Sequence, residues 1–193
     1  MTEMLKRLRD KKVPVAIYYK SVGGFCAGFV RETDDEFALL ELISPSGRFD
    51  GYLCIRIEEI LKLDVGTAYL NNLVKVYRHY GEEPLPIKVS SRDVLREFTD
   101  VVIKNKWMCT MEIGFETLDK INGFVVGREW ELVEMRLVSE NGEGRRIYDV
   151  RSRGSRLLRR PFGIRKVSRY PLRAERRRGR RKRRAGEGQK IGG

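Results

Sequence analysis

The chain has 193 residues, and its 41% hydrophobic content allows packed cores and excludes a wholly disordered protein. The net charge of +13 is unevenly placed: residues 145–193 hold 20 Lys and Arg against 3 Asp and Glu (+17), which leaves 20 basic and 24 acidic residues (−4) in residues 1–144. An electrostatic argument about residues 1–144 therefore has to rest on local patches and not on the total.

The cysteines indicate the compartment. Cys26, Cys54 and Cys109 lie in apolar, strand-like contexts and show no C-x-x-C or Cys/His spacing, so we expect reduced core residues. The charged N-terminal segment is unlike a signal peptide, and no apolar run approaches the ~18 residues that a membrane-spanning helix needs. These features predict a soluble, cytoplasmic protein without membrane partners.

The first elements follow from the apolar spacing. Met4, Leu5 and Leu8 fall at helical intervals ahead of Pro14, which predicts a short opening helix. Gly28, inside an apolar run, indicates a bulge, a bend or a close approach of two backbones. Strands are predicted over 15–20, 25–30, 37–43 and 52–60, with an acidic turn at 34–36 and a break at 45–47.

A helix and a linker come next. Apolar residues recur at intervals of three and four over 66–80, which predicts an amphipathic helix that ends at Gly81. Pro84 and Pro86 then indicate a stiff, extended linker over 82–89. Ser90 or Ser91 can cap a further helix, so the pattern of the N-terminal part begins again.

The strands that follow also repeat the first set. They are predicted over 107–113, 121–126 and 130–138, and Gly28-Phe29-Val30 recurs 95 residues later as Gly123-Phe124-Val125. This recurrence favours two tandem copies of one domain. The alternative is a single mixed α+β domain in which the similarity is due to chance.

The segment 25–42 resembles the first signature motif of the Sm-like family, which includes eukaryotic LSm proteins and bacterial Hfq. Asp34 follows Gly28 by six residues, Phe37 follows Asp34 by three, and an apolar run comes after. The resemblance implies an N-terminal helix, a small, strongly bent five-stranded barrel, and assembly into rings on RNA. Two positions depart from the family: its Asn is Ala38 here, and the Arg-Gly of its second motif appears as Arg56-Ile57.

Together, the repeat and the resemblance predict a mainly β (α+β) fold of two tandem Sm-like barrels, each preceded by a helix. The predicted parts are barrel 1 at 1–65, a helix and linker at 66–89, an incomplete barrel 2 at 90–144, and a disordered Arg-rich tail at 145–193. The tail would bind polyanions nonspecifically through counterion release.

The tail begins where the repeat predicts more strands. Codon choices exist that, read one nucleotide later, restore an Asp-Gly pair, an Asp and a Tyr at the offsets of Asp50, Asp64 and Tyr69. We therefore interpret residues 145–193 as a frameshifted ending without packed structure.

Residues suited to catalysis are scarce. His79 is the only histidine, and its place near a helix end indicates a solvated capping residue. No phosphate loop or metal-ligand motif occurs, and the acidic turn at 34–36 lacks the interleaved ligands of a calcium loop. We expect no enzymatic activity, no cofactor and no metal.

The resemblance implies a non-enzymatic, RNA-associated module or a scaffold for ribonucleoproteins. Phe37 would stack on a base, Arg56 would hold it, and the turn at Asp34 would complete a pocket for single-stranded RNA. The alternative is that Phe37 is a core residue and Arg56 a surface residue. The chain would then be a protein-interaction or self-assembly module that has lost the RNA pocket. In either case, Sm-like barrels are expected to associate through edge strands, within the chain or with another copy, and we expect 53–57 to lie at such an edge.

Overall fold

The computed structural model describes residues 1–19, 24–84, 86–113, 119–129, 132–138, 147–151 and 162–168, which form an α+β fold. The helices are α1 (Thr2–Asp10), α2 (Ala68–Tyr80) and α3 (Val94–Asn105). The strands are β1 (Pro14–Tyr19), β2 (Cys26–Thr33), β3 (Phe37–Ile43), β4 (Phe49–Arg56), β5 (Ile60–Val65), β6 (Met108–Ile113), β7 (Asp119–Glu129), β8 (Leu132–Leu137), β9 (Ile147–Arg151) and β10 (Phe162–Ser168).

The strands are antiparallel, and their order repeats. The first five lie in the order β5-β1-β2-β3-β4, and the rest follow as β10-β6-β7-β8-β9. Strand β10 pairs with β4 on one side, through Ile55 and Cys54, and with β6 on the other. The two groups therefore form one continuous sheet.

The β2–β3 and β7–β8 hairpins share one register, displaced by 95 residues. Gly28 lies opposite Leu42, and Gly123 lies opposite Leu137. A Cβ on Gly28 would lie 1.9 Å from the carbonyl oxygen of Glu41, and one on Gly123 would lie 2.4 Å from that of Arg136. No side chain fits at either position, so each glycine allows a close backbone approach, which is one of the three alternatives that the sequence left open at Gly28.

The same displacement of 95 residues also relates the register shifts within the two hairpins and the pairing of each hairpin with the strand that follows it. A register shift falls between Val30 and Glu32 in the first hairpin and between Val125 and Gly127 in the second. Phe37 pairs with Arg56 across β3 and β4, and Leu132 pairs with Arg151 across β8 and β9. The same backbone arrangement thus occurs twice in the chain.

Among the described residues, three clusters of apolar side chains stabilise the fold. The α1 core joins Leu5 and Leu8 to the inner residues of β1–β5, and the α2 core joins Leu70, Leu73 and Val74 to β1–β3. The third cluster, here called the shared core, takes residues from segment 1–65 and from segment 90–144, which are called the two halves of the chain below. Its members are Phe37, Leu39, Tyr52, Cys54, Val94, Leu95, Phe98, Val102, Trp107, Cys109, Met111, Val125, Val133 and Met135.

The shared core joins segment 90–144 to segment 1–65. Strand β3 is buried at all seven positions because the α1 core covers one face, and α3 and α2 together cover the other. The segment predicted as a stiff linker also contributes, since Ile87 and Val89 pack against the shared core.

Several predicted boundaries differ from the structure. The cap of α3 is Asp93, whose carboxylate accepts a hydrogen bond from the backbone N–H of Arg96 at 3.2 Å; the sequence had favoured Ser90 or Ser91. The strand predicted over 52–60 is divided by a short 3-10 helix at Ile57–Glu59. Helix α2 begins at Ala68, two residues later than predicted. It ends at Tyr80, just before Gly81, as predicted, and Gly81 has a left-handed backbone.

Two segments of the predicted tail are strands, β9 and β10. The rest of 145–193 lies outside the described residues, and so does the predicted start of a strand at 130. The frameshift remains a hypothesis, and the coding DNA would test it.

Candidate functional site around Asp34, Phe37 and Arg56

The turn between β2 and β3 is held by its own side chains. The Asp34 Oδ1 atom accepts hydrogen bonds from the backbone N–H groups of Glu36 at 2.8 Å and Phe37 at 2.6 Å. The Thr33 hydroxyl donates to the carbonyl oxygen of Phe37 at 3.0 Å. An Asp in this position stabilises a tight turn because its carboxylate reaches backbone donors two and three residues on.

Asp34 also joins the two halves of the chain. Its second oxygen, Oδ2, accepts a hydrogen bond at 2.7 Å from the backbone N–H of Val94, the first residue of α3. That N–H belongs to the first turn of a helix and has no partner within the helix, and a negative charge is favoured at this end of the helix dipole. The sequence did not reveal this contact, since 60 residues separate the two.

Phe37 and Arg56 lie together, as the resemblance implied, but the ring is enclosed. Phe37 has 0% exposure and packs in the shared core beneath α3. The Arg56 Cζ atom lies 4.9 Å from the centre of the Phe37 ring, and the Arg56 side chain is only 14% exposed. Its Nη1 atom lies 3.9 Å from Glu58 Oε1. A base could stack on Phe37 only if Arg56 or α3 moved away.

Ala38, the position of the family's Asn, faces the opposite side of the strand. It has 0% exposure and packs in the α1 core. A polar side chain at this place would be buried without a base to bond. The alternative that Phe37 is a core residue agrees with its burial, whereas Arg56 is too enclosed to be the surface residue of that alternative.

A polar cleft of about 390 Å³ lies beside the turn. It is lined by Lys6, Thr33, Asp34, Asp35, Glu36, Ser91 and Arg92. Acidic and basic side chains line the cleft, and no aromatic ring is among them. Sites for small molecules are mostly apolar, so this lining does not favour one. Within the described residues, no group of three or more His, Cys, Asp or Glu side chains could hold a metal ion.

Glu41 forms a second polar contact that the sequence did not indicate. Its carboxylate is buried within β3, accepts a hydrogen bond from the Tyr77 hydroxyl of α2 at 2.8 Å, and lies 3.4 Å from Arg31 Nη1. Burial and the hydrogen bond to Glu41 raise the pKa of Tyr77, and burial raises the pKa of Tyr52 to about 12. Both phenols therefore stay protonated near neutral pH, and the contact fixes α2 on the sheet.

An apolar surface lies at the edge of the sheet formed by β5. Leu61 is 62% exposed and Val65 is 46% exposed. Around Tyr18 of the neighbouring strand β1, the rings of Phe25 and Tyr69 lie 5.5 Å apart, and Phe25 lies 5.3 Å from Tyr18. Exposed aromatic and aliphatic side chains at a sheet edge are typical of surfaces that bind other chains.

Comparison of the chain with protein-family models, with curated proteins and with solved structures finds no match. The Sm-like resemblance thus rests on the residues quoted above. No helix in the described ranges is long and apolar enough to cross a membrane.

Proposed function

We propose that the chain is a non-enzymatic, cytoplasmic protein-interaction module built from two Sm-like barrels, in which the positions of the RNA pocket serve to join the halves. The observation that carries the proposal is the burial of Phe37 beneath α3, with Arg56 over its ring. Side chains that would hold a base on an open barrel are occupied here by the chain's own contacts. Asp34 supports the same role because it bonds to the N–H of Val94.

The edge of β5 supports association with other chains. In the described part of the chain β5 pairs only with β1, so its other side offers backbone N–H and C=O groups to a further strand. Strand addition at such an edge is a common mode of protein recognition. Leu61 and Val65 add exposed apolar surface beside it.

Co-purification from cells with and without nuclease tests the proposal. We expect partner proteins to remain bound after nuclease treatment, and loss of all partners would contradict the interaction module. The basic run at 176–184 would hold nucleic acid nonspecifically, so a full-length variant with Gln at its Arg and Lys positions is the control.

A second candidate, an RNA-associated module, is favoured by one observation. Asp34, Phe37 and Arg56 do come together, and a guanidinium group over an aromatic ring can stack on a base after a small movement. In the variant with the neutralised run, Arg56→Ala should then weaken binding of single-stranded RNA at fixed salt. Arg48→Ala is the matched control, because the Arg48 Cζ atom also lies over a ring, that of Tyr80, at 3.7 Å.

A further inference from the structure

Strand β5 has an alternating and self-complementary sequence. Leu61, Leu63 and Val65 alternate with Lys62 and Asp64. Lys62 Nζ lies 2.9 Å from Asp64 Oδ2 and 4.8 Å from the centre of the Tyr18 ring, so the two charged side chains share one face of the strand. Leu63 lies on the other face and packs against the α1 core.

We propose that two copies of the chain associate by antiparallel pairing of their β5 edges around a two-fold axis at Leu63. This proposal rests on the proposed interaction function and names the partner as a second copy. The pairing places Lys62 of each copy opposite Asp64 of the other. The exposed side chain of Leu61 comes opposite Val65 of the other copy, so charge meets opposite charge and apolar side chains meet each other.

The same sequence disfavours the neighbouring registers. If the two-fold axis lay at Lys62, the Lys62 side chains of the two copies would face each other. If it lay at Asp64, the two Asp64 side chains would face each other. Like charges directly opposite one another on paired strands are destabilising. If one β5 strand slipped by one residue relative to the other, Lys62 and Asp64 of one copy would lie opposite apolar residues of the other copy. Only the register centred on Leu63 satisfies both faces.

The surroundings of β5 leave room for this contact. Within the described residues β5 is the terminal strand of the sheet, next to β1. A register shift opposite Tyr18 and Tyr19 leaves Leu61 without a partner on β1, and it is 62% exposed. Phe25 and Tyr69, 38% and 45% exposed, extend the surface on the side of Tyr18. The paired edge is short, so we expect a weak dimer.

Two complementary charge reversals in the full-length chain test the register. The Lys62→Asp chain carries two acids on the edge and the Asp64→Lys chain carries two bases. Each alone should therefore repel its own copy, whereas a mixture of the two should pair. Both variants lose the Lys62–Asp64 contact within the chain, so any effect of that loss is matched. Lys104→Asp, which reverses an exposed charge on α3, is the control.

Sedimentation of nuclease-treated protein at about 150 mM salt measures the outcome. We expect each single variant to dimerise about tenfold more weakly than the native chain and the mixture to regain native affinity. Native-like dimers of either variant alone, a mixture no tighter than its components, or a monomeric native chain would each overturn the proposal. Nuclease-resistant partner proteins on a monomeric chain would overturn this inference alone and leave the proposed function intact.

Discussion

The β2–β3 hairpin and the β7–β8 hairpin have the same backbone and different surroundings. Their register, their bulge and the close approach at Gly28 and Gly123 coincide after a displacement of 95 residues. Yet β3 is buried at every position, whereas β8 alternates between exposed and buried residues. Phe37 has 0% exposure, and Leu132, its counterpart, has 36%.

The difference shows that pairing and packing are specified separately. The glycine and the bulge set the register of both hairpins, because a side chain at the glycine would collide with the facing strand. Burial depends on which helices cover each face. Helix α3 lies against the outer face of β3, so the first hairpin is enclosed on two sides and the second mainly on one.

The largest loss of stability should come from removing the ring of Phe37, which α3 covers. Phe37→Ala deletes a fully buried ring from the shared core and should lower the free energy of unfolding by about 4 kcal/mol. Leu132→Ala, at the matching position, should cost less than about 1 kcal/mol because its side chain is partly exposed. Urea unfolding measures both, and similar losses would mean that the two hairpins are equally covered.

The glycines give the next largest effect. Gly28→Ala places a Cβ 1.9 Å from the carbonyl oxygen of Glu41 and should destabilise the chain by about 3 kcal/mol. The loss at Gly123→Ala should be somewhat smaller, since its Cβ would lie 2.4 Å from the Arg136 oxygen. Gly24→Ala, with nothing within 4 Å of its Cβ, is the control. A neutral Gly123→Ala would show that the second hairpin does not share the close approach.

Asp34 distinguishes the first hairpin through its bond to α3. Asp34→Ala removes three hydrogen bonds, to the N–H groups of Glu36, Phe37 and Val94, and should cost about 2 kcal/mol. Chemical denaturation provides the measurement. Asp35→Ala, at the exposed neighbouring position, should change stability little. If the two substitutions had equal effects, the carboxylate of Asp34 would not be joining the halves.

The smallest change in stability should come from the ion pairs that join each helix to its hairpin. The helix supplies the base in the first pair and the acid in the second. Arg9 of α1 pairs with Glu32 of β2, whereas Asp100 of α3 pairs with Arg128 of β7 at 2.9 Å. Asp100→Arg should cost about 0.5 kcal/mol, and adding Arg128→Asp should recover most of it. Thermal unfolding of the single and double variants measures this, and a double variant no better than the single one would contradict a direct pair.

Local patterns predicted the elements well because each carries its own signal. Helical spacing around Leu5 and Leu8 gave α1, and Gly81 gave the end of α2. The 95-residue recurrence of Gly-Phe-Val appears in the strand register. The cap of α3 was placed wrongly, because Ser90, Ser91 and Asp93 are all competent N-cap residues and only the tertiary structure decides among them.

The site was predicted less well because its contacts join distant segments. Asp34, Phe37 and Arg56 lie close together in the structure, but the cover that α3 places on Phe37 is not visible in local spacing. One signal was present: β3 reads as a nearly continuous apolar run, which is typical of strands buried on both faces. That pattern would have predicted a second layer over Phe37 in place of an open base pocket.

The central claim is that both halves of the chain share one core, and the cysteines test it directly. Cys54 of β4 and Cys109 of β6 are both buried in the shared core, and burial raises the pKa of the Cys54 thiol and raises that of Cys109 to about 12. Both thiols stay protonated and unreactive at neutral pH until the core opens.

Pulsed thiol labelling across a urea series, read for each cysteine by mass spectrometry, follows that opening. We predict that Cys54 and Cys109 become reactive in one transition with the same midpoint, because the cluster that buries them is lost as a unit. Labelling of Cys109 at urea concentrations where Cys54 remains protected would contradict the shared core and would show that the two parts of the chain unfold separately.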